Sequence, residues 1–320
     1  MSERQPFFSV VMPAYNTRQY IGRALDSVLA QDEDTETIVV DDGSTDGIGE
    51  FVEQRYPSVR CIRAAHAGAS AARNLGIAQA TGVFVALLDS DDQWLGGHLR
   101  RLRRLLEADG LMWACADWLD GDARGEMTRR PPSRLARRLG DDGGVVEDYF
   151  AACGDGARVS SSTVAFHRDT VARLGGFCRD LTVGEDLDMW FRLALECPRM
   201  GYIPQPGGVY WRREGSATVG MPPWKLQSML RRLQRDWSLA AAAGPDALRR
   251  ARPLLMRWMG KAVQLSIEGG HPSMLRELCK SFGRQIPLKW RLASRVCRAT
   301  PAGCWPLVGR LALAGSRDGE

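Results

Sequence analysis

The stretch FVALLDSDDQW, residues 84–94, decides how this chain is read. Five apolar residues (Phe84, Val85, Ala86, Leu87, Leu88) run straight into Asp89, Ser90, Asp91 and Asp92. A short apolar run with aromatic and Val content suits a strand buried on both faces, as in a parallel sheet. Such a strand ends at the rim of the sheet, where open α/β sheets bind their ligands. Three carboxylates in four positions repel one another there unless a positive charge lies between them. A divalent cation with oxygen ligands, Mg2+ or Mn2+, meets that need, since it commonly bridges one or two carboxylates to phosphate oxygens. An acidic turn that caps the following helix is the plainer reading of the same residues.

Upstream, strands alternate with helices. FFSVVMP (7–13) reads as a strand ended by Pro13, TETIVVDD (35–42) as a second, SVRCIRA (58–64) as a third and VFVALLD (83–89) as a fourth. Between them, residues 18–30 place Tyr20, Ile21, Leu25, Val28 and Leu29 on one helical face, residues 46–55 look helical, and GASAARNLGIAQATG (68–82) reads as a helix closed by Gly82. This alternation implies a parallel sheet with crossover helices. Downstream the expectation is a basic helix at 95–108, a strand in LMWACADWL (111–119) and a mobile polar loop at 120–145. Strand and helix follow in 158–177, a helix in LDMWFRLALEC (187–197), and short strands around GYIPQPGGVYWRR (201–213). From Pro222 the pattern is helical and basic.

With 320 residues, 44% of them hydrophobic and 25% charged, the chain has the make-up of a globular protein with a sizeable core. Its eight cysteines (Cys61, Cys115, Cys153, Cys178, Cys197, Cys279, Cys297, Cys304) form no Cys-x-x-Cys pair. They read as reduced, mostly buried thiols of a cytosolic protein, not as a disulfide frame or a zinc site. The start MSERQPFFSV carries no long apolar segment behind a basic end, and no run approaches the ~18 apolar residues of a membrane span, so neither signal peptide nor span is expected. The net charge of +5 is uneven: residues 221–320 hold 18 Lys plus Arg against 6 Asp plus Glu, or +12, which leaves −7 for residues 1–220. Two jobs are expected, a catalytic domain at 1–220 and a basic helical region at 221–320.

Four segments fall together on the rim where such strands end: MPAYN (12–16), VVDDGSTD (39–46), GASAARN (68–74) and DSDD (89–92). This ordered set resembles that of family 2 glycosyltransferases, over residues 7–215. The resemblance implies a GT-A fold, an α/β, Rossmann-like, mostly parallel sheet flanked by helices, here with a helical C-terminal extension. It implies transfer of a sugar, with inversion, from a nucleotide-sugar donor to an acceptor hydroxyl. Asp89 and Asp91 match the Asp-x-Asp motif that holds Mn2+ or Mg2+ against the donor's diphosphate, with Asp91 the direct ligand, Ser90 on the donor side and Asp92 a helper. Pro13, Ala14, Tyr15 and Asn16 match the loop that cups base and ribose. Asp42 matches the carboxylate that accepts from the uracil N3–H, which implies a UDP-sugar, and Arg73 matches a basic residue near the nucleotide. The segment YWRREGSAT (210–218) is similar to a Tyr- and Arg-rich stretch of the family. Some members place a metal-binding His there; none stands here, which leaves Arg212 or Arg213 to contact the diphosphate. His66, His98, His167 and His271 are given no catalytic part.

The chemistry supports these roles. A diphosphate leaving group gains negative charge as the sugar–oxygen bond breaks, and a cation held by carboxylates neutralises that charge as it grows. A further carboxylate must accept the proton of the attacking hydroxyl. VGEDLDMW (183–190) supplies a candidate. The family's matching Glu-Asp pair makes its Asp the base, here Asp186, with Glu185 beside it toward the acceptor. A helix start favoured by acids is the plain reading of that pair.

Four other readings fit the sequence less well. A phosphatase with an aspartyl nucleophile needs an Asp where Val40 stands in VVDDGST, and a phosphotransfer receiver is far shorter. A nucleotidyltransferase lacks its Gly-rich, Arg- and Lys-bearing loop after the first strand. A non-catalytic scaffold of the same fold is opposed by the intact Asp89, Asp91 and Asp186. The sugar and the acceptor (surface polysaccharide or other glycan, lipid-linked or small molecule) stay open, as does the oligomeric state. The basic tail mixes Arg and Lys with Trp, which suits a helix on an anionic membrane surface and so a cytoplasmic enzyme peripheral on the inner face of the cell membrane. Packing on the catalytic domain or a second subunit is the alternative. Nucleic acid is not expected, since no binding motif accompanies the charge.

Overall fold

The computed structural model describes residues 5–212 and 222–299. Within them the chain runs β1 (Phe8–Ala14), α1 (Arg18–Leu29), β2 (Thr35–Asp42), α2 (Ile48–Arg55), β3 (Arg60–Ala64), α3 (Ala69–Gln79) and β4 (Phe84–Leu87). Then come β5 (Gln93–Trp94), α4 (His98–Ala108), β6 (Trp113–Gly121), β7 (Met127–Thr128), α5 (Arg134–Leu139), β8 (Gly144–Val146) and α6 (Tyr149–Gly154). β9 (Val164–His167), α7 (Arg168–Arg173), α8 (Glu185–Glu196) and β10 (Met200–Trp211) complete the α/β part. Four helices follow: α9 (Pro223–Ala242), α10 (Pro245–Glu268), α11 (Pro272–Phe282) and α12 (Leu288–Ala299). These residues form two compact units, one of 5–180 and 185–212, the other of Leu181–Gly184 and 222–299.

The first unit is built on one sheet in the order β3-β2-β1-β4-β9-β6-β10-β5, with β7 beside β6 and β8 beside β10. β3, β2, β1 and β4 pair in parallel. β9 is antiparallel to both β4 and β6, so β6 runs with β4, and β10 is parallel to β6. The carboxyl ends of β1, β2, β4, β6 and β10 therefore share one rim. Val10 and Met12 of β1 face Ile21, Leu25 and Val28 of α1, all at most 1% exposed. On the opposite face α3 lies so close that a Cβ on Gly76 would collide with Val11 Cγ1 and stand 3.3 Å from Val40 Cγ2.

Several expectations need correction. Leu29 is exposed, not part of the α1 core stripe; Ala24 takes that place. Gly82 does not close α3, which ends at Gln79 with Ala80 already extended. Gly82 is instead where β1 passes, with a Cβ position 2.6 Å from Ser9 N. The stretch 120–145 is not a structureless loop. It carries β7, α5 and β8, and its polar residues supply the order: Asp122 Oδ1 accepts from Arg124 and Glu126 N–H, Ser133 caps α5, and Arg130 pairs with Asp120. The short strands expected near 201–213 are one strand, β10, whose pairing slips between Ile203 and Gly208, where Pro204 and Pro206 remove ladder donors. Of the described cysteines only Cys115 and Cys153 are buried, and none is in a disulfide.

In the second unit, α9 buries Leu226, Leu230 and Leu233, and Pro stands in the first turn of α9, α10 and α11, where its missing N–H costs nothing. Arg232, 2% exposed, pairs with Asp236 at 3.0 Å and lies 3.9 Å above the Trp258 ring. Among the described residues no helix is long and apolar enough to cross a membrane.

Candidate active site

The loops after β1 and β2 are stitched together. Asn16, a non-glycine residue at φ +50°, uses its Oδ1 to accept from Thr45 N–H (2.9 Å), and its own N–H donates to Ser44 Oγ (3.0 Å). Asp46 Oδ2 accepts from Arg18 N–H at 2.8 Å, tying the second loop to the first turn of α1. Pro13 and Ala14 belong to β1, and Ala14 is buried. Tyr15 is 45% exposed and stacks on His66, ring centroids 4.1 Å apart. Asp42, 3% exposed, accepts from Ala67 N–H (2.8 Å) and Gly68 N–H (2.9 Å), and His66 Nδ1 lies 2.9 Å from its Oδ2. Asp42 thus holds the entry to α3 and the imidazole beside Tyr15. His66, given no part by sequence reasoning, joins the expected nucleotide loop.

Arg73 was expected to lie beside a nucleotide; the structure buries it, at 4% exposed. One end of the guanidinium donates to Asp89 Oδ1 and the other to Glu185 Oε1, both at 2.8 Å. Burial works against its charge, but the two carboxylates more than offset that and hold its pKa above the usual Arg value. Arg73 on α3 thereby joins the metal-motif Asp89 to Glu185 on α8, 112 positions from Arg73.

The carboxylates of the opening stretch part company. Asp89 is half-buried on Arg73, and its N–H donates to Ser162 Oγ at 3.2 Å. Ser90, expected on the donor side, is 4% exposed and its hydroxyl meets Thr17 Oγ1 at 2.8 Å. Asp92, expected as a helper, turns inward. At 1% exposed it accepts from Ser162 Oγ and from Trp211 N–H, and burial, then Asp89 and Asp91, push its pKa well above the usual carboxylate range. Asp91 is half-buried, and Arg23 donates to its carbonyl at 2.8 Å while lying 4.4 Å over the Trp211 ring. Ser162, Thr17 and Arg23 were missed by sequence reasoning. Each is an ordinary polar residue whose role appears only when the rim is assembled.

Asp186 sits in the first turn of α8 and its Oδ1 accepts from Leu187 N–H at 2.7 Å. The third acid of that turn, Asp188, is fully buried and pairs with Arg192 at 2.6 Å, which in turn donates to the carbonyls of Leu174 and Gly176. That pair anchors α8 in the sheet unit. Arg212 is exposed, 3.6 Å from Asp120 beside the end of β6. Arg213 lies outside the described residues. Among the described residues no three His, Cys, Asp or Glu side chains form a ready-made metal site. Asp89 and Asp91 do fit an ion that takes one or two carboxylates and completes its shell with phosphate oxygens and water, as Mg2+ does.

Residues 9–150 match the model of glycosyl transferase family 2. The putative teichuronic acid biosynthesis glycosyltransferase TuaG of Bacillus subtilis is 40% identical over 106 residues, 32% of this chain and 42% of that protein. The chain spans about two fifths of the length of the curated relatives it matches, 38% and 40% for two others. Among solved structures, TarS 1–349 of S. aureus in complex with UDP-GlcNAc aligns over 96% of this chain and 92% of that one, with TM-score 0.62 and 18% identity. The mannosyltransferase PcManGT of Pyrobaculum calidifontis, in complex with GDP-Man and Mn2+, aligns over 98% and 89% with TM-score 0.55 and 18% identity. At such identities the likeness is one of fold, and the α/β sheet with its flanking helices is the GT-A architecture.

Proposed function

We propose for this chain, whose residues 9–150 match the model of glycosyl transferase family 2, an inverting, metal-dependent transfer of a sugar from a UDP-linked donor to an acceptor hydroxyl. The observation that carries the reading is the convergence of the β1, β2 and β4 loops, Arg73 and the start of α8 on one rim. In this reading Tyr15, His66 and the loop of Pro13, Ala14 and Asn16 receive base and ribose. Asp91 and Asp89 would hold Mn2+ or Mg2+, which when bound supplies positive charge against the diphosphate of the leaving group. Arg212 lies on the rim to meet that diphosphate. Asp186 accepts the proton of the acceptor hydroxyl as its oxygen bonds to the anomeric carbon and the bond to the diphosphate oxygen breaks. The sugar inverts because there is one displacement and no second nucleophile. The catalytic domain is assigned to 1–220, and TuaG's role supports an acceptor in surface polysaccharide or glycoconjugate synthesis.

A screen of nucleotide sugars that reads released nucleoside diphosphate, with and without Mn2+, tests the activity, and NMR of the product tests inversion. Asp91→Ala should abolish metal-dependent donor binding. Asp186→Asn should leave donor binding intact and lower turnover by about a hundredfold, the usual contribution of a general base. Retention of anomeric configuration would refute the single displacement.

The cytoplasmic, membrane-peripheral placement is a proposal of the same standing. Residues 222–299 hold 16 Lys plus Arg against 4 Asp plus Glu, and Trp224, Leu288 and Leu292 are about half exposed or more. Each cation near an anionic lipid surface contributes about 1 kcal/mol. Co-sedimentation with anionic vesicles at low salt checks this, and no binding there refutes it.

A further inference from the structure

Arg23 stands in the second turn of α1, and it belongs to the sheet unit together with Asp91 and Trp211, the groups it meets. Its Nη2 donates to the Asp91 carbonyl at 2.8 Å, and the guanidinium lies 4.4 Å from the Trp211 ring centroid. Trp211 in turn donates its N–H to Asp92 Oδ1 at 3.0 Å. The Trp211 ring packs so tightly on Gly121 of β6 that a Cβ there would stand 2.4 Å from its Cε3. The cation is thus held between α1, the Asp89–Asp92 turn and the end of β10. Its Nε–H is buried and has no hydrogen-bond partner. A buried unsatisfied donor carries a cost that Met or Leu at the same place would not have. The Asp91 carbonyl is satisfied by any neutral donor, so the hydrogen bond alone does not call for a guanidinium. What sets Arg23 apart is a positive charge placed on the metal motif.

Because Nη2 touches the Asp91 carbonyl, that charge stands within about one Debye length, roughly 8 Å, of the carboxylate of the same residue. Asp89 is already shared with Arg73. Both carboxylates assigned to the metal therefore have a guanidinium at hand before any ion arrives. We infer that Arg23 is the counter-charge of Asp91 while the donor is absent. It lowers the affinity of Asp89 and Asp91 for a bare divalent cation and so ties metal occupancy to the arrival of the diphosphate. This rests on Asp89 and Asp91 being the metal ligands. A unit charge roughly 8 Å from a divalent ion, at an effective dielectric between that of a protein surface and that of water, weakens binding about tenfold. The diphosphate brings negative charge of its own, which offsets Arg23 and restores the attraction for the ion. Metal and nucleotide are then coupled, and linkage makes the coupling equal in both directions.

The experiment uses the full chain. Calorimetry and the EPR signal of free Mn2+ give Mn2+ affinity alone and with saturating UDP or GDP, and calorimetry gives nucleotide affinity with and without Mn2+. Arg23→Gln keeps a donor for the Asp91 carbonyl and removes the charge. It is expected to tighten binding of Mn2+ alone about tenfold. The gain that nucleotide gives to Mn2+, and Mn2+ to nucleotide, should shrink by a similar factor. Arg23→Met should do the same, and either neutral variant carries the test if the other fails to fold. Arg23→Lys, which keeps the charge, should stay within about twofold of wild type. Unchanged or weaker binding of Mn2+ alone in the neutral variants overturns the inference, since a residue that only shapes the turn would give that result. Mn2+ that binds the wild type neither alone nor with nucleotide overturns the metal assignment and the inference with it. That outcome differs from a failed counter-charge, in which nucleotide recruits Mn2+ to the wild type and the neutral variants behave alike.

Discussion

Replacing Arg73 with Met tests the joint between the metal motif and the base helix. Met keeps most of the volume and removes the charge. The wild-type guanidinium is 4% exposed and bonds Asp89 and Glu185 at 2.8 Å each, with side-chain exposures of 30% and 16%. Two unit charges about 4 Å apart attract by roughly 4 kcal/mol at an effective dielectric of about 20, so the two pairs together are worth roughly twice that before desolvation. Taking the guanidinium out of water costs several kcal/mol, which leaves a smaller net gain for the triad. Removing only the cation does not return that cost for the carboxylates, which stay in place, and breaking such a pair costs about 3–5 kcal/mol. That is about a fifth or more of the stability of an ordinary domain.

The loss should depend on pH. A carboxylate left without its cation takes up a proton more readily in the folded chain than in the unfolded one. The folded variant therefore binds more protons than its unfolded form, and its stability rises as pH falls. Urea unfolding of wild type and Arg73→Met at pH 7.5 and pH 5 measures both effects. A deficit of about 3–5 kcal/mol at the higher pH that shrinks at the lower one is expected. Adding Glu185→Gln should recover part of it. A deficit under about 1 kcal/mol, the scale of an exposed pair, would refute the reasoning, as would a deficit indifferent to pH.

Four further outcomes are expected. His98 is fully buried with neither ring nitrogen hydrogen-bonded, and burial, helped by Arg101, lowers its pKa to about 3. Its neutral form is favoured in the fold, so it draws stability out as pH falls from the usual ~6.5 toward that value, by up to roughly 5 kcal/mol; His98→Leu should flatten that part of a stability–pH curve. Gly76→Val should destabilise by about 1–3 kcal/mol in thermal unfolding, because its side chain must push Val11 aside. Ser162→Ala takes one of two described donors from buried Asp92 and should cost about 1–3 kcal/mol. Removing divalent metal with a chelator should weaken donor binding while leaving the melting temperature of the donor-free protein in place.

The strands and their rim were legible because each apolar run ended in a loop with its own signature. TETIVVDD is β2 to the residue, and the α1 stripe of Ile21, Leu25 and Val28 lies in the core. Strand direction was not legible at β9: VAFH has no period that separates parallel from antiparallel, and its reversal between β4 and β6 is a tertiary outcome. Within the site, residue type was readable and orientation was not. A turn such as Asp89–Asp92 has no fixed side-chain period, so nothing local tells which acid points inward. Arg73 reads as a surface helix cation until α8 arrives 112 positions later with Glu185. The order within 120–145 was hidden for a related reason, since Arg and Asp pairs look like solvent-loving loop until their partners are known.

Three carboxylates in four positions raised the question of what holds them together, and the fold provides much of the answer before any metal arrives. Asp92 turns inward to Ser162 and Trp211, where burial favours its neutral form. Asp89 leans on the one guanidinium that also holds Glu185. Arg23 approaches from α1 and takes the Asp91 carbonyl. The repulsion expected from the sequence is thus offset in part by protein groups, and the turn is expected to keep its shape without a cation. A site whose ligands are held by their own neighbours is pre-organised, and binding free energy then goes into the donor complex and not into folding. This is why a chelator should be felt in donor affinity and not in the melting temperature, and a fall in the melting temperature on metal removal would show that the turn leans on the ion after all.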